Sequence, residues 1–232
     1  MSRLLECKDL NMNYSGLPVL NDLSLTIDSG KIVGVIGPNG CGKTTLFKII
    51  TGLIKNYRGT VEIAGMTPGA ESKAIVSYLP EKTYLNDGMK AGTAIDMFAD
   101  FYRDFNKSQA EELLNRFHLD RNMKLKTMSK GMQEKLQLIL VMSRAAKLYV
   151  LDEPLSGIDP ATRDSILDII LHNYAADATV LLSTHLIYDV ERIFDDVIMM
   201  GYGQLIVADS VDHLRETTGK SLDEYFREVF RC

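Results

Sequence analysis

The chain has 232 residues, with 26 Lys and Arg against 31 Asp and Glu, a formal net charge of −5, and 46% hydrophobic residues. That apolar content excludes a disordered polymer and is enough for a sizeable core, while the acidic balance argues against non-specific binding to DNA or to an anionic membrane surface. No run approaches the ~18–20 apolar residues of a membrane-spanning helix, no signal-peptide pattern opens the chain, and Cys7, Cys41 and Cys232 are too scattered for a disulfide framework or zinc site, which together predict a protein of the reducing cytoplasm.

In chain order, residues 4–10 and 23–27 alternate apolar and polar side chains, as half-buried strands do. Asp28-Ser29-Gly30 is a turn, and residues 31–36 form a β-branched apolar strand of the kind buried in a mostly parallel sheet. A glycine-rich loop leads into an amphipathic helix over 43–50, and two short strands follow at 60–63 and 75–79. From 82 to 146 helical spacing takes over: Ile95, Phe98, Ala99 and Tyr102 share one face, Leu113, Leu114 and Phe117 another. Strands at 148–151, 180–183 and 197–200 then alternate with helices at 161–174 and 186–194. The tail, 221–231, is a short amphipathic helix that groups Leu222, Tyr225, Phe226 and Val229. Strand–helix alternation around a helical insert predicts one α/β domain over 1–232. The α/β lobe is predicted over 1–81 with 147–210, the inserted helical lobe over 82–146, and a helical tail over 211–232.

The chemistry concentrates in two places. Gly37, Pro38, Asn39, Gly40, Cys41, Gly42, Lys43 and Thr44 match G-x-x-x-x-G-K-[ST] at every fixed position, between a strand and a helix. A polyphosphate needs several converging N–H donors, and glycines let the backbone wrap it closely at a helix N-terminus. Lys43 is placed to reach the β- and γ-phosphates, the Thr44 hydroxyl to bind Mg²⁺, and Thr45 to contact the α-phosphate. The second place is the end of the strand at 148–151, where Asp152 and Glu153 follow four apolar residues. A carboxylate there can hold the Mg²⁺ shell, and the next one can polarise an attacking water as general base.

Three further segments carry a family resemblance. Met128-Ser129-Lys130-Gly131-Met132, opening a helix just before the Asp-Glu strand, is similar to the L-S-G-G-Q signature of the ATP-binding cassette (ABC) ATPases, the nucleotide-binding subunits of ABC transporters. Ser156-Gly157-Ile158-Asp159 resembles that family's D-loop, and Thr184-His185 its switch histidine. Tyr14 stands where the family has an aromatic that stacks on adenine. The resemblance runs from about residue 4 to 210. It implies a P-loop NTPase core, a RecA-like mostly parallel sheet with an antiparallel β subdomain, plus an inserted α-helical subdomain.

It also implies MgATP hydrolysis, with Glu153, His185 and Lys43 as catalytic groups, and Thr44, Asp152 and Glu81 about the metal. Tyr14, the loop from Gly37 to Thr45, and Ser129 with Gly131 would hold ATP, the last two acting on the partner cassette's nucleotide in a homo- or heterodimer. A separate membrane permease would supply the transport path, so the protein is expected in the cytoplasm, peripheral at the inner face of the membrane, powering transport in the export direction. Two departures from the pattern stand out. Glu81 occupies the place of a glutamine at the start of the helical lobe, and Lys130 and Met132 replace a glycine and a glutamine of the signature. The basic stretch Arg121, Lys124, Lys126, Lys130 and Lys135 is either a solvated face or a local attraction for phosphate. The alternative function is a soluble ABC-type ATPase acting on nucleic acid or in translation. Such proteins carry long insertions or fused cassettes that this chain lacks, and its acidic balance disfavours direct nucleic-acid binding. A small P-loop kinase would leave the signature-like segment without a use.

Overall fold

The computed structural model describes residues 2–175 and 177–230, so Arg231 and Cys232 lie outside the described residues. The N-terminal strands are longer than the alternation suggests. β1 (Arg3–Tyr14) and β2 (Leu17–Asp28) form an antiparallel hairpin, closed at Ser15 and Gly16, both at positive φ. β4 (Arg58–Ile63) pairs with the other edge of β1, giving a three-stranded antiparallel sheet of order β2-β1-β4.

The second sheet has six strands in the order β5-β6-β7-β3-β8-β9. β3 (Ile32–Ile36), β5 (Val76–Leu79), β6 (Leu148–Asp152), β7 (Thr179–Thr184) and β8 (Asp196–Gly201) run parallel, and β9 (Gln204–Ser210) returns antiparallel at the edge. β9 has no counterpart among the expected strands: its outward residues are exposed and its inward ones only half-buried, so its apolar signal is weak.

The inner strands read as continuous apolar runs because both faces are covered. On β6, Tyr149 and Leu151 join the core beneath the helices, while Leu148 and Val150 point into the core shared with the antiparallel sheet. Ile32 and Ile36 of β3 divide from Val33 and Val35 in the same way. Each such side chain is worth about 1.5–3 kcal/mol when fully buried. α1 (Lys43–Ile50) follows the glycine-rich loop and packs in the second of these cores.

Between β5 and β6 the chain is helical: α2 (Ala91–Phe101), α3 (Lys107–Arg116) and α4 (Lys130–Met142). The run at 136–142 is the C-terminal half of α4, buried all round against α2, α3 and the sheet. Arg144, just past it, fixes the helical segment to β5. It is buried, donates to the carbonyls of Lys73, Ala74 and Val76, pairs with Asp104, and stacks 3.9 Å above the Tyr102 ring.

α5 (Pro160–His172) starts on an Asp159 N-cap, whose side chain accepts from the Thr162 amide, with Pro160 at its first position. The helix expected over 186–194 is shorter: α6 (Ile187–Val190) runs into a 3₁₀ turn at Glu191–Ile193. No side chain caps it, and the chain beyond turns back to the sheet, where the Asp195 carboxylate accepts from the Ile32 amide at 2.7 Å. α7 (Val211–Thr218) and the tail helix α8 (Leu222–Phe230) finish the fold, with Leu222 buried and Tyr225, Phe226 and Val229 packed on the core as their spacing predicts. No helix among the described residues is long and apolar enough to cross a membrane.

Candidate functional site

Three parallel strands end side by side, in the spatial order β6-β7-β3, and each delivers one part of a cleft. The glycine-rich loop leaves β3 and enters α1 through Gly42, whose φ of 106° is a conformation that L side chains rarely adopt. A Cβ there would also come within 2.9 Å of the Val19 carbonyl. Lys43, the first residue of α1, is buried; its ammonium donates to the Gly37 carbonyl at 2.8 Å and lies 3.7 Å from a Glu153 oxygen. Cys41 packs inward, and burial raises its thiol pKa, as suits a space-filling side chain rather than a reactive thiolate.

At the end of β6, Asp152 is almost wholly buried. Its Oδ1 accepts from Thr44 Oγ1 at 3.2 Å and from Ser183 Oγ at 2.7 Å, and its Oδ2 is buried with no hydrogen-bond partner. Burial raises its pKa, opposed by the Ser183 and Thr44 hydroxyls and reinforced by the nearby Glu153 and Glu81. An orphaned carboxylate oxygen beside a threonine hydroxyl suits a hydrated divalent cation, since both are hard oxygen donors.

Glu153 follows with φ 51°, an uncommon conformation for a non-glycine residue, held by its amide donating to the Ser183 carbonyl and Oγ at 3.2 and 2.9 Å. One carboxylate oxygen thereby faces Lys43, and the other lies 2.8 Å from His185 Nδ1, just beyond β7. Lys43, Thr44, Thr45, Glu153, His185, Asn39 and Glu81 line one cleft of about 390 Å³.

Val19 and Ser183 are the site's unpredicted members, and Ser156 enters from the D-loop-like segment. Val19 and Ser156 line the cleft, and Ser183 braces both acids through one hydroxyl. The serine in Ser183-Thr184-His185 is a visible signal; Val19 has none, because it reaches the cleft only through the packing of β2 on the loop at Gly42. Tyr14 does not line the cleft; it sits half-exposed at the tip of the β1–β2 hairpin. Ser129 and Gly131 also lie outside it: Ser129 caps α4, accepting from the Met132 amide at 3.3 Å, and Gly131 packs toward Thr162 of α5. The basic stretch is largely spoken for. Arg121 pairs with Asp96 and Glu111, Lys135 stacks over Phe117, and Lys130 bonds to the chain after β6. His118, His172 and His213 stand away from the cleft, the last two beside Asp168 and Asp209.

Beside the cleft, a polar hollow is lined by Lys130, Glu134, Gln137 and Ser156. Burial pushes the Glu134 carboxyl up to about 7 against the opposing pull of Lys130, one turn back on α4. The folded chain thus holds this proton more tightly than the unfolded one, where the carboxyl titrates near 4.5. The stability contributed here is full below that value and is lost as pH rises through 7. Glu134→Gln is therefore expected to stabilise the protein at pH 8 by about 2 kcal/mol, after discounting for solvent, raising the melting temperature by about 4–8 °C. Thermal melts at pH 8 and pH 5 check this, with the advantage shrinking at the lower pH; an equal gain at both would reject the titration.

A family model described as ABC transporter matches residues 20–156. The chain is 30% identical to the ABC-type transporter ATP-binding protein EcsA of Bacillus subtilis, over 97% of this chain and 96% of that one. It is also 30% identical to the ABC transporter ATP-binding protein YtrB of the same organism, covering 92% of this chain and 74% of YtrB. A solved structure described as the ATP binding subunit of an ABC transporter superposes with a TM-score of 0.86 at 30% identity, covering 98% and 99% of the two chains. With a glycine-rich loop, a strand-end Asp-Glu pair and a strand-end histidine gathered at the C-terminal ends of three neighbouring strands, this chain belongs to the ABC transporter family of ATP-binding, ATP-hydrolysing proteins.

Proposed function

We propose that the chain is the motor subunit of an ABC transporter, hydrolysing MgATP in a pair of cassettes to drive export through a separate membrane permease. One observation carries this reading: the Lys43 ammonium, the Glu153 carboxylate and the His185 imidazole meet in one cleft at the ends of β3, β6 and β7. Amides of the glycine-rich loop and the N-terminus of α1 receive the β- and γ-phosphates, and Lys43 exchanges its loop carbonyls and Glu153 for phosphate oxygens. Thr44, Asp152 and Glu81 would hold Mg²⁺, which would supply charge neutralisation of the phosphates.

Glu153 accepts a proton from the attacking water as its oxygen bonds to the γ-phosphorus and the bond to the ADP oxygen breaks. His185, held against Glu153, contacts the γ-phosphate. Tyr14 stacks on adenine from the hairpin tip, while Ser129 and Gly131 meet the nucleotide of the opposite cassette. The geometry favours that last role, because neither residue lines this chain's own cleft. ATP then joins two cassettes, and hydrolysis separates them.

An apolar groove between β5 and α2, lined by Tyr84, Phe98, Tyr102 and the exposed Phe101, supports docking of a permease segment. Affinity capture of the tagged chain from detergent-solubilised membranes tests the reading. The expected result is an integral membrane protein in stoichiometric yield, with phosphate released to water. Capture of nucleic acid, or a phosphorylated acceptor, would overturn it.

A further inference from the structure

The loop between β6 and α5 positions Glu153, and it is braced from two sides. On the sheet side Ser183 takes the Glu153 amide, and within the loop the Ser156 amide donates back to the Glu153 carbonyl at 3.1 Å. On the outer side stands Lys130, the first residue of α4. Its ammonium donates to the Ser156 carbonyl at 2.8 Å and lies so close to Gly157 that a Cβ there would collide with it. Glu134, one turn further along α4, offers the same ammonium a carboxylate, yet the hydrogen bond runs across to the loop. The two helix starts also touch: a Cβ on Gly131 would come within 3.1 Å of Thr162 Cγ2, at the head of α5. Ser156 and Glu81 form a shared wall, lining both the cleft of Lys43, Glu153 and His185 and the hollow of Lys130 and Glu134.

We propose that Lys130 is a positioning residue for hydrolysis: its ammonium fastens the loop 153–159, and with it the Glu153 carboxylate, to the first turn of α4. The catalytic half of this rests on the hydrolase reading above; the fastening itself does not. A cation on a carbonyl is stronger than a neutral hydrogen bond, so it holds the loop without touching substrate. Where α4 also meets the opposite cassette's nucleotide, movement of its first turn is carried directly to the base of this chain's own site.

The test compares the full-length parent with Lys130→Met, which keeps the aliphatic stem, and Lys130→Arg, which restores a cationic donor. Hydrogen exchange on the nucleotide-free protein reads the fastening. In Lys130→Met the Ser156 amide should exchange about tenfold faster, as loss of one charge-assisted bond predicts, and Lys130→Arg should return toward the parent. Steady-state hydrolysis reads the positioning: kcat should fall about tenfold in Lys130→Met with KM within twofold of the parent. Unchanged exchange at Ser156 overturns the fastening. Faster exchange with the parent kcat overturns the positioning role. If the parent itself releases no phosphate from ATP, the hydrolase reading and the positioning role fall together, and the exchange measurement still decides whether Lys130 holds the loop.

Discussion

Glu153→Gln is expected to keep ATP bound while cutting phosphate release by about 10²–10⁴-fold, the usual contribution of a positioned general base. Glutamine has the same shape, and its carbonyl still accepts from His185 Nδ1, so the cleft keeps its outline. What it loses is the capacity to take a proton from water. It also removes a negative charge 3.7 Å from the Lys43 ammonium, which frees that cation for phosphate. Nucleotide affinity should therefore equal or exceed the parent's, and pairs of chains should accumulate around ATP. Phosphate release, fluorescent-nucleotide titration and light scattering with ATP check the three parts. Turnover at the parent rate would remove Glu153 from the base role.

Lys43→Ala carries the second large effect, a loss of about 10²–10³-fold in ATP affinity. Truncating one partner of a buried, hydrogen-bonded charge pair costs about 2–5 kcal/mol, and 1.4 kcal/mol is a factor of ten. Lys43 is buried at the head of α1, and among the described residues no other Lys or Arg lines the cleft to replace its ammonium. The variant also leaves the Gly37 carbonyl without its donor and Glu153 without its cation, so a melting curve accompanies the titration. Parent-like affinity in a folded variant would exclude Lys43 from the phosphate site.

The site is legible in the sequence where its parts are contiguous. The loop from Gly37 to Thr44 announces itself because its chemistry demands particular residues at fixed spacings, and Asp152 with Glu153 because, given that loop, two acids closing a buried apolar strand gain a use that a strand end alone would not give them. The parallel sheet is legible for a similar reason: strands covered on both faces become unbroken apolar runs. What depends on pairing between distant segments is not. No local pattern says that β7 lies between β6 and β3, the arrangement that brings His185 against Glu153 and sets Ser183 beside both acids. Likewise, the sequence leaves Lys130 between a solvated face and a phosphate attractor. The fold turns it instead onto a carbonyl 26 residues further along.

The position of β3 also has a consequence for how the protein is made. Its five residues are complete early in synthesis, yet both neighbours come from beyond residue 178. A nascent chain therefore carries an apolar strand with two unpaired edges through most of translation, a template for pairing with the wrong partner. Such long-range parallel closure is intrinsically slow, and the nucleotide cleft cannot exist before it. Chains stalled or cleaved ahead of β7 keep the entire phosphate loop and still lack a site, which makes ATP itself a selective ligand for finished molecules.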